Sequence, residues 1–317
     1  MKYRIEHYKN CERFNEQYQS IYQFLLKAGT LDYNEHFHWG RFEWMHAHSY
    51  LDADQLTNIV MFKDEDGAIV GLMTYDTSYD DRVYLIHTSS EKPLLEQMLD
   101  TFLQSEGGRA VVKASSKDTV LCHLLQEKGF AQKQRCASVL SLDLSNPLVY
   151  CLPDGYTMSP REFAADPWQY QLVIHRGFDN DGTPEKWDAE LLKRIPHAND
   201  ALKTFAIANR EYCAHCGLWY TTGDTAYVEP VATVPEHRKR GLAKRWSMKH
   251  VRAPMRLVQS APSSCLTKRS TSESVSRFLR KCMTGSTLIL IDFAENASKN
   301  PGCKTQLGSC CFGIMYL

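Results

Sequence analysis

One order of elements runs through residues 12–143 and begins again after residue 160. Residues 12–27 and 35–51 carry aromatic and aliphatic side chains at three- and four-residue spacing, which predicts helices. "NIVMFK", the turn "DEDG" and "AIVGLMTYDTS" predict a hairpin, and "RVYLIHTS" a third strand. "KPLLEQMLDTFLQSEG" predicts a helix: Pro93 suits its first turn, Leu95, Met98, Leu99 and Phe102 share a face, and glycines close it. "RAVVKAS", "DTVLCHLLQEKGF" and "CASVLSLDL" then predict strand, helix and strand. "SNPLVYCLPDGYTM", with Asn-Pro and Pro-Asp-Gly, marks a boundary. Beyond it, helical stretches at 160–177 and 184–195 lead to the strands "KTFAIAN", "EYCAHCGLWYTT" and "AYVEPVATV". The recurrence predicts a duplicated fold.

A chain of 317 residues, 43% of them hydrophobic, is long enough for two domains of about 150 residues with a core each. No apolar run approaches the roughly 20 residues of a membrane span. The charged start "MKYRIEHYKNCERF" does not resemble a signal peptide. The eleven cysteines are irregularly spaced and read as free thiols. A cytoplasmic protein is expected. Net charge is zero, but residues 251–317 hold nine Lys/Arg and three Asp/Glu, which leaves 28 basic and 34 acidic residues before them. An acidic body argues against a nucleic-acid partner.

The last predicted strand of the second half runs into "VPEHRKRGLAK". A strand, a glycine-bearing loop and a helix start form a geometry that holds anions on free backbone N–H groups. Gly241 lets the chain approach a phosphate closely, Ala243 keeps the next approach open, and Arg238, Lys239, Arg240, Lys244 and Arg245 bring countercharge. The segment has neither of the better-known phosphate-loop patterns, Gly-x-x-x-x-Gly-Lys-Ser/Thr or Gly-x-Gly-x-x-Gly. Arg238-Lys239-Arg240-Gly241-Leu242-Ala243 resembles the acetyl-coenzyme A signature of GNAT-type N-acetyltransferases, Arg/Gln-x-x-Gly-x-Gly/Ala. "EPVATVPEH" before it, "LPDGYTM" and "CGLWYTT" upstream, and "LLQEKGF" in the first half carry the same likeness over residues 1–250.

The resemblance implies an α/β protein of two tandem GNAT-like domains, each a mixed, mostly antiparallel sheet flanked by helices. It implies acetyl-coenzyme A as co-substrate, with Val231, Ala232 and Thr233 offering backbone groups to the pantetheine arm. Arg238, Lys239, Arg240, Gly241, Leu242, Ala243 and Lys244 would hold the pyrophosphate. The acceptor would be a small-molecule amine. An alkyl ammonium near pKa 10 must lose a proton before it attacks, and a carboxylate can take it. Glu229 is the candidate, since strict strand alternation would put it on one face with Val231 and Thr233; an ion pair at a strand edge is the competing role. The first half has only "SEK" where the motif should stand, so residues 1–148 read as a copy without the cofactor motif.

Other patterns compete weakly with this reading. "CAHC" at 213–216 has metal-pair spacing, but residues three apart on a strand face opposite ways, so buried thiols are expected. The same spacing logic on a helix argues against a metal at His36, His38, His46 and His48. No metal is expected anywhere. Trp219 and Tyr220 read as core or cleft wall. Residues 149–250 are the expected cofactor-binding domain. Residues 251–317, with ten Ser and five Cys, depart from the family's pattern, apart from one strand-like run, "STLILIDF". They read as a divergent end, an interaction segment or a translated wrong frame. An enzyme is the first reading, a coenzyme A-binding protein without turnover the second, and a basic-tailed interaction protein the third.

Overall fold

The computed structural model describes residues 3–9, 12–48, 51–76, 79, 82–105, 109–143, 151–160, 163–185, 194–221, 225–242, 256–262 and 287–294. The chain divides into two compact units, Met1–Cys136 with Thr287–Phe312 and Ala137–Ser286 with Gly313–Leu317.

The first unit opens with β1 (Arg4–His7), followed by α1 (Glu16–Ala28) and α2 (Trp39–Ala47). Next come β2 (Val60–Lys63), β3 (Ile69–Thr74), β4 (Arg82–His87), α3 (Lys92–Ser105), β5 (Arg109–Ser115) and α4 (Thr119–Glu127). Asn15 and Asp118 cap α1 and α4 by accepting from the N–H groups of Tyr18 and Leu121, which satisfies donors that a helix start leaves open. In α3, Leu94, Leu95, Met98, Leu99 and Phe102 are buried against Phe62, Val83, Leu85 and Val112 of the sheet. Gly71 lies directly beneath this helix: a Cβ there would stand 2.8 Å from Met98 Sδ and make that side chain shift.

β6 (Ala131–Asp143) leads into the second unit. There follow β7 (Thr157–Met158), α5 (Pro167–Gly177), β8 (Lys203–Ala208), β9 (Glu211–Trp219), β10 (Thr225–Thr233) and β11 (Arg256–Pro262), while β12 (Thr287–Ala294) returns to the first unit. Asp166 caps α5 through the N–H of Gln169, with Pro167 in its first turn. Tyr170, Val173 and Ile174 of α5 join Phe205, Ala214, Ala232 and Leu242 in this unit's core.

The strand order is β1-β2-β3-β4-β5-β12 in the first unit and β7-β8-β9-β10-β11-β6 in the second. In each, three antiparallel pairings are followed by one parallel pairing, β4 with β5 or β10 with β11, and by a last antiparallel one. The expected duplication is therefore present at the level of topology. Segment 251–317, set apart in sequence terms from both domains, supplies β11 to one sheet and β12 to the other. Two expectations about elements change: β1 adds a strand before α1, and the helix expected at 160–177 begins at Pro167. Most of the helix expected at 184–195 lies outside the described residues.

Candidate cofactor site

The site is built on β10. Among the described residues, this strand pairs in parallel with β11 only at Thr225–Arg256, Ala226–Leu257 and Tyr227–Val258. Against β9 it continues to Thr233, with a register shift between Val228 and Val231. Past Tyr227, then, β10 keeps one neighbour and parts from the other. The N–H of Val234 donates to Cys213 O at 3.0 Å. Backbone groups alternate along a strand, so Ala232 also turns toward β9, while Val231 and Thr233 turn to the side that β11 has left.

This corrects one expectation. Ala232 spends its backbone groups on the β9 ladder, whereas those of Val231 and Thr233 face the other edge of β10. The Ala232 side chain lies beneath α5, where a Cβ on Gly177 would stand 2.6 Å from Ala232 Cβ.

The register shift also alters the position of Glu229. Val228 stands opposite Leu218 and Val231 opposite Cys216, so Glu229 and Pro230 together face the single residue Gly217. Strict alternation from Glu229 to Thr233 is lost across this bulge. Gly217 is required here, since a Cβ would stand 2.6 Å from Glu229 O. Trp219 Nε1 donates to the same carbonyl at 2.8 Å. One Glu229 carboxylate oxygen, Oε2, is buried.

Beyond β10 a short 3-10 turn, Pro235–His237, leads into the basic loop. Arg238 is not presented as free countercharge. Its Nε donates to Thr233 O at 3.0 Å and Nη2 to Gly177 O at 3.0 Å. The same guanidinium grips both Asp179 oxygens, at 2.9 and 2.8 Å. It is a strut between the end of β10 and the end of α5. Lys239 and Gly241 both have left-handed backbone, at φ +63° and +72°. Lys239 and Arg240 are exposed, and Leu242 is buried in the core. Ala243, Lys244 and Arg245 lie outside the described residues, as does the body of the helix expected to follow.

Register matches His87 of β4 to Val231 of β10, because each lies just past the end of the parallel pairing, at Tyr84–Lys113 and Tyr227–Val258. In the first unit that place is filled from within. Asn34 Nδ2 donates to His87 O at 2.7 Å, and His87 Nε2 lies 2.7 Å from Asp118 Oδ2. Tyr33 stacks on the His87 ring at 4.9 Å. Sequence reasoning missed this cluster. "SEK" signalled only the lack of a glycine, and nothing local pairs residues 34, 87 and 118.

Cys213 and Cys216 are buried thiols on β9. Burial holds both well protonated, Cys216 most of all. Burial likewise lowers the pKa of His36 and His48 to about 4, and of His38 and His46 to about 3. Among the described residues, no group of His, Cys, Asp or Glu side chains could hold a metal ion, and no helix is long and apolar enough to cross a membrane.

No protein-family model matches the sequence, and no curated protein matches it. Solved structures do match the fold. A GCN5-related N-acetyltransferase from Sphaerobacter thermophilus aligns over 92% of this chain and 94% of its own, at 13% identity and a TM-score of 0.52. A tandem GNAT protein from the clavulanic acid biosynthesis pathway aligns over 92% and 99%, at 10% identity and 0.50. A domain described as that of a lysylphosphatidylglycerol synthetase, from Agrobacterium fabrum, aligns over 77% and 87%, at 11% identity and 0.50. These likenesses define the class: the fold is GNAT-like. The chain carries it as a tandem, with the glycine-bearing loop on the second copy.

Proposed function

We propose that the second unit binds acetyl-coenzyme A beside β10 and that the protein transfers the acetyl group to a primary amine of a small molecule. The observation that carries this reading is the parting of β10 from β11 after Tyr227, just before the loop that holds Gly241. Val231 and Thr233 have backbone groups turned to the vacated side, and the left-handed glycine suits close approach of a pyrophosphate. When bound, acetyl-coenzyme A supplies an activated thioester acyl group.

The chain's own part is to hold and deprotonate. Val231 and Thr233 orient the pantetheine arm, and the loop from Lys239 to Lys244 holds the phosphates. Arg238 fixes that loop to Asp179 rather than meeting the phosphates itself. Glu229, at the bulge, receives the proton of the attacking amine, directly or through water. The GNAT-like fold supports acyl transfer but does not select the acceptor. The acidic charge of residues 1–250 favours a cationic amine over a nucleic acid, and a cytoplasmic enzyme working without metal or membrane is part of the same proposal.

Calorimetric titration of the full chain with acetyl-coenzyme A tests the binding step, with one site per chain expected. Acetyl transfer across an amine panel tests the chemistry. No heat of binding would refute the reading. Binding with a silent panel would favour the coenzyme A-binding protein without turnover.

A further inference from the structure

We propose that Tyr156 is a positioning residue for the Gly241 loop and so helps to set affinity for the phosphate-bearing part of the cofactor; this rests on the reading of the second unit as an acetyl-coenzyme A site. Tyr156 follows Gly155, whose φ of +83° makes the turn before β7. It belongs to the segment "LPDGYTM", which in sequence terms signalled a domain boundary and part of the family likeness but no role for the tyrosine. The fold brings it against the basic loop, far along the chain. Its hydroxyl lies 2.6 Å from His237 Nδ1, and the two rings meet edge to face at 5.5 Å. The Arg240 guanidinium stands 5.9 Å from the centre of the Tyr156 ring, within cation–π range.

His237 and Arg240 bracket Arg238 and Lys239, so one side chain from outside the loop touches it on both sides of its tightest part. Lys239 needs such support, because an L side chain resists the left-handed backbone it adopts at φ +63°. Burial, and then the charge of Arg240, lower the His237 pKa below its ordinary value. Both effects favour the neutral ring. With its proton on Nε2, Nδ1 accepts and the Tyr156 hydroxyl donates. Arg238 ties the loop to α5 at the same time. A loop already held in its binding shape loses less conformational freedom when an anion arrives. Tyr156 thus acts on the ligand through His237 and Arg240.

The test compares two ligands on the full chain. Acetyl-coenzyme A carries the pyrophosphate, whereas S-acetylpantetheine carries the thioester arm without it. Tyr156→Phe keeps the ring and its contact with Arg240 but removes the hydroxyl. We expect its affinity for acetyl-coenzyme A to fall about three- to tenfold, the worth of one hydrogen bond. The ratio of the two affinities should fall by the same factor. His237→Phe removes the bond from the other side. The double variant should lose no more than the larger single loss.

Equal loss for both ligands, no loss for either, or additive losses in the double variant would overturn the positioning role. A wild-type chain that binds S-acetylpantetheine but not acetyl-coenzyme A would overturn it as well. A wild-type chain that binds neither ligand would instead remove the acetyl-coenzyme A reading and this inference with it.

Discussion

Gly241 sits at φ +72°, where a side chain costs about 1–2 kcal/mol of backbone strain. Gly241→Glu adds negative charge where the pyrophosphate is proposed to lie. Its affinity for acetyl-coenzyme A should fall by more than the roughly five- to thirtyfold that the strain alone implies. Gly241→Ala separates strain from charge, and unchanged calorimetric affinity in both variants would remove the loop from the site. Glu229→Gln should lower kcat by about 10²–10⁴-fold with little change in the Kd of acetyl-coenzyme A; a variant with full turnover would move the proton to another acceptor. The glycine was readable in the sequence because the backbone demand is written in the residue type. Arg238 was not. A guanidinium in a basic loop looks like countercharge until the fold brings Asp179 to it.

α5 and β10 meet so closely at Gly177 and Ala232 that the helix fixes the strand that builds the site. Gly177→Val should lift the helix, cost about 1–3 kcal/mol of stability and weaken cofactor binding together with it. Urea unfolding and calorimetry on one sample would show both effects. If stability falls and binding holds, β10 is not set by α5. α2 carries a different liability. His38 and His46 are buried neutral, and His38 Nδ1 accepts the Gly40 N–H that starts the helix. His36 and His48, on either side, are neutral as well. Burial lowers all four pKa values, so the unfolded chain, with His near 6.5, binds more protons below that pH. Their contribution to stability is present above about pH 6.5 and is lost as pH falls toward 4, with a slope of about 1.4 kcal/mol per pH unit for each fully titrating His. A urea midpoint as high at pH 5.5 as at pH 7.5 would contradict this. The buried helices and strands were legible from their periodicity. β1 was not, because the exposed residues of Arg4–His7 show no apolar alternation. β11 was missed for a related reason: "RLVQSAP" is short and mixed, and its strand character comes from neighbours on both sides.

At the scale of the chain, the two units repeat one pairing pattern but differ at the place where a ligand would lie. The first is closed there by Asn34, His87 and Asp118, so calorimetry should return one cofactor per chain, and a stoichiometry of two would reopen the first unit as a site. Removing residues 251–317 should damage both units, because β11 and β12 each lie in a sheet. A fragment of residues 1–250 that unfolds as cooperatively as the full chain would disprove this. The role of β12 also sets a schedule for biosynthesis. β5 is among the earlier strands to leave the ribosome, yet its partner Leu288–Ala294 is among the last. At about 5–20 residues per second, one edge of β5 waits roughly 10–35 s for its neighbour. For that time it is a template open to any passing strand. A nascent chain of this kind depends on being shielded while translation finishes, and slowing translation late in the message should lower the soluble yield more than slowing it early.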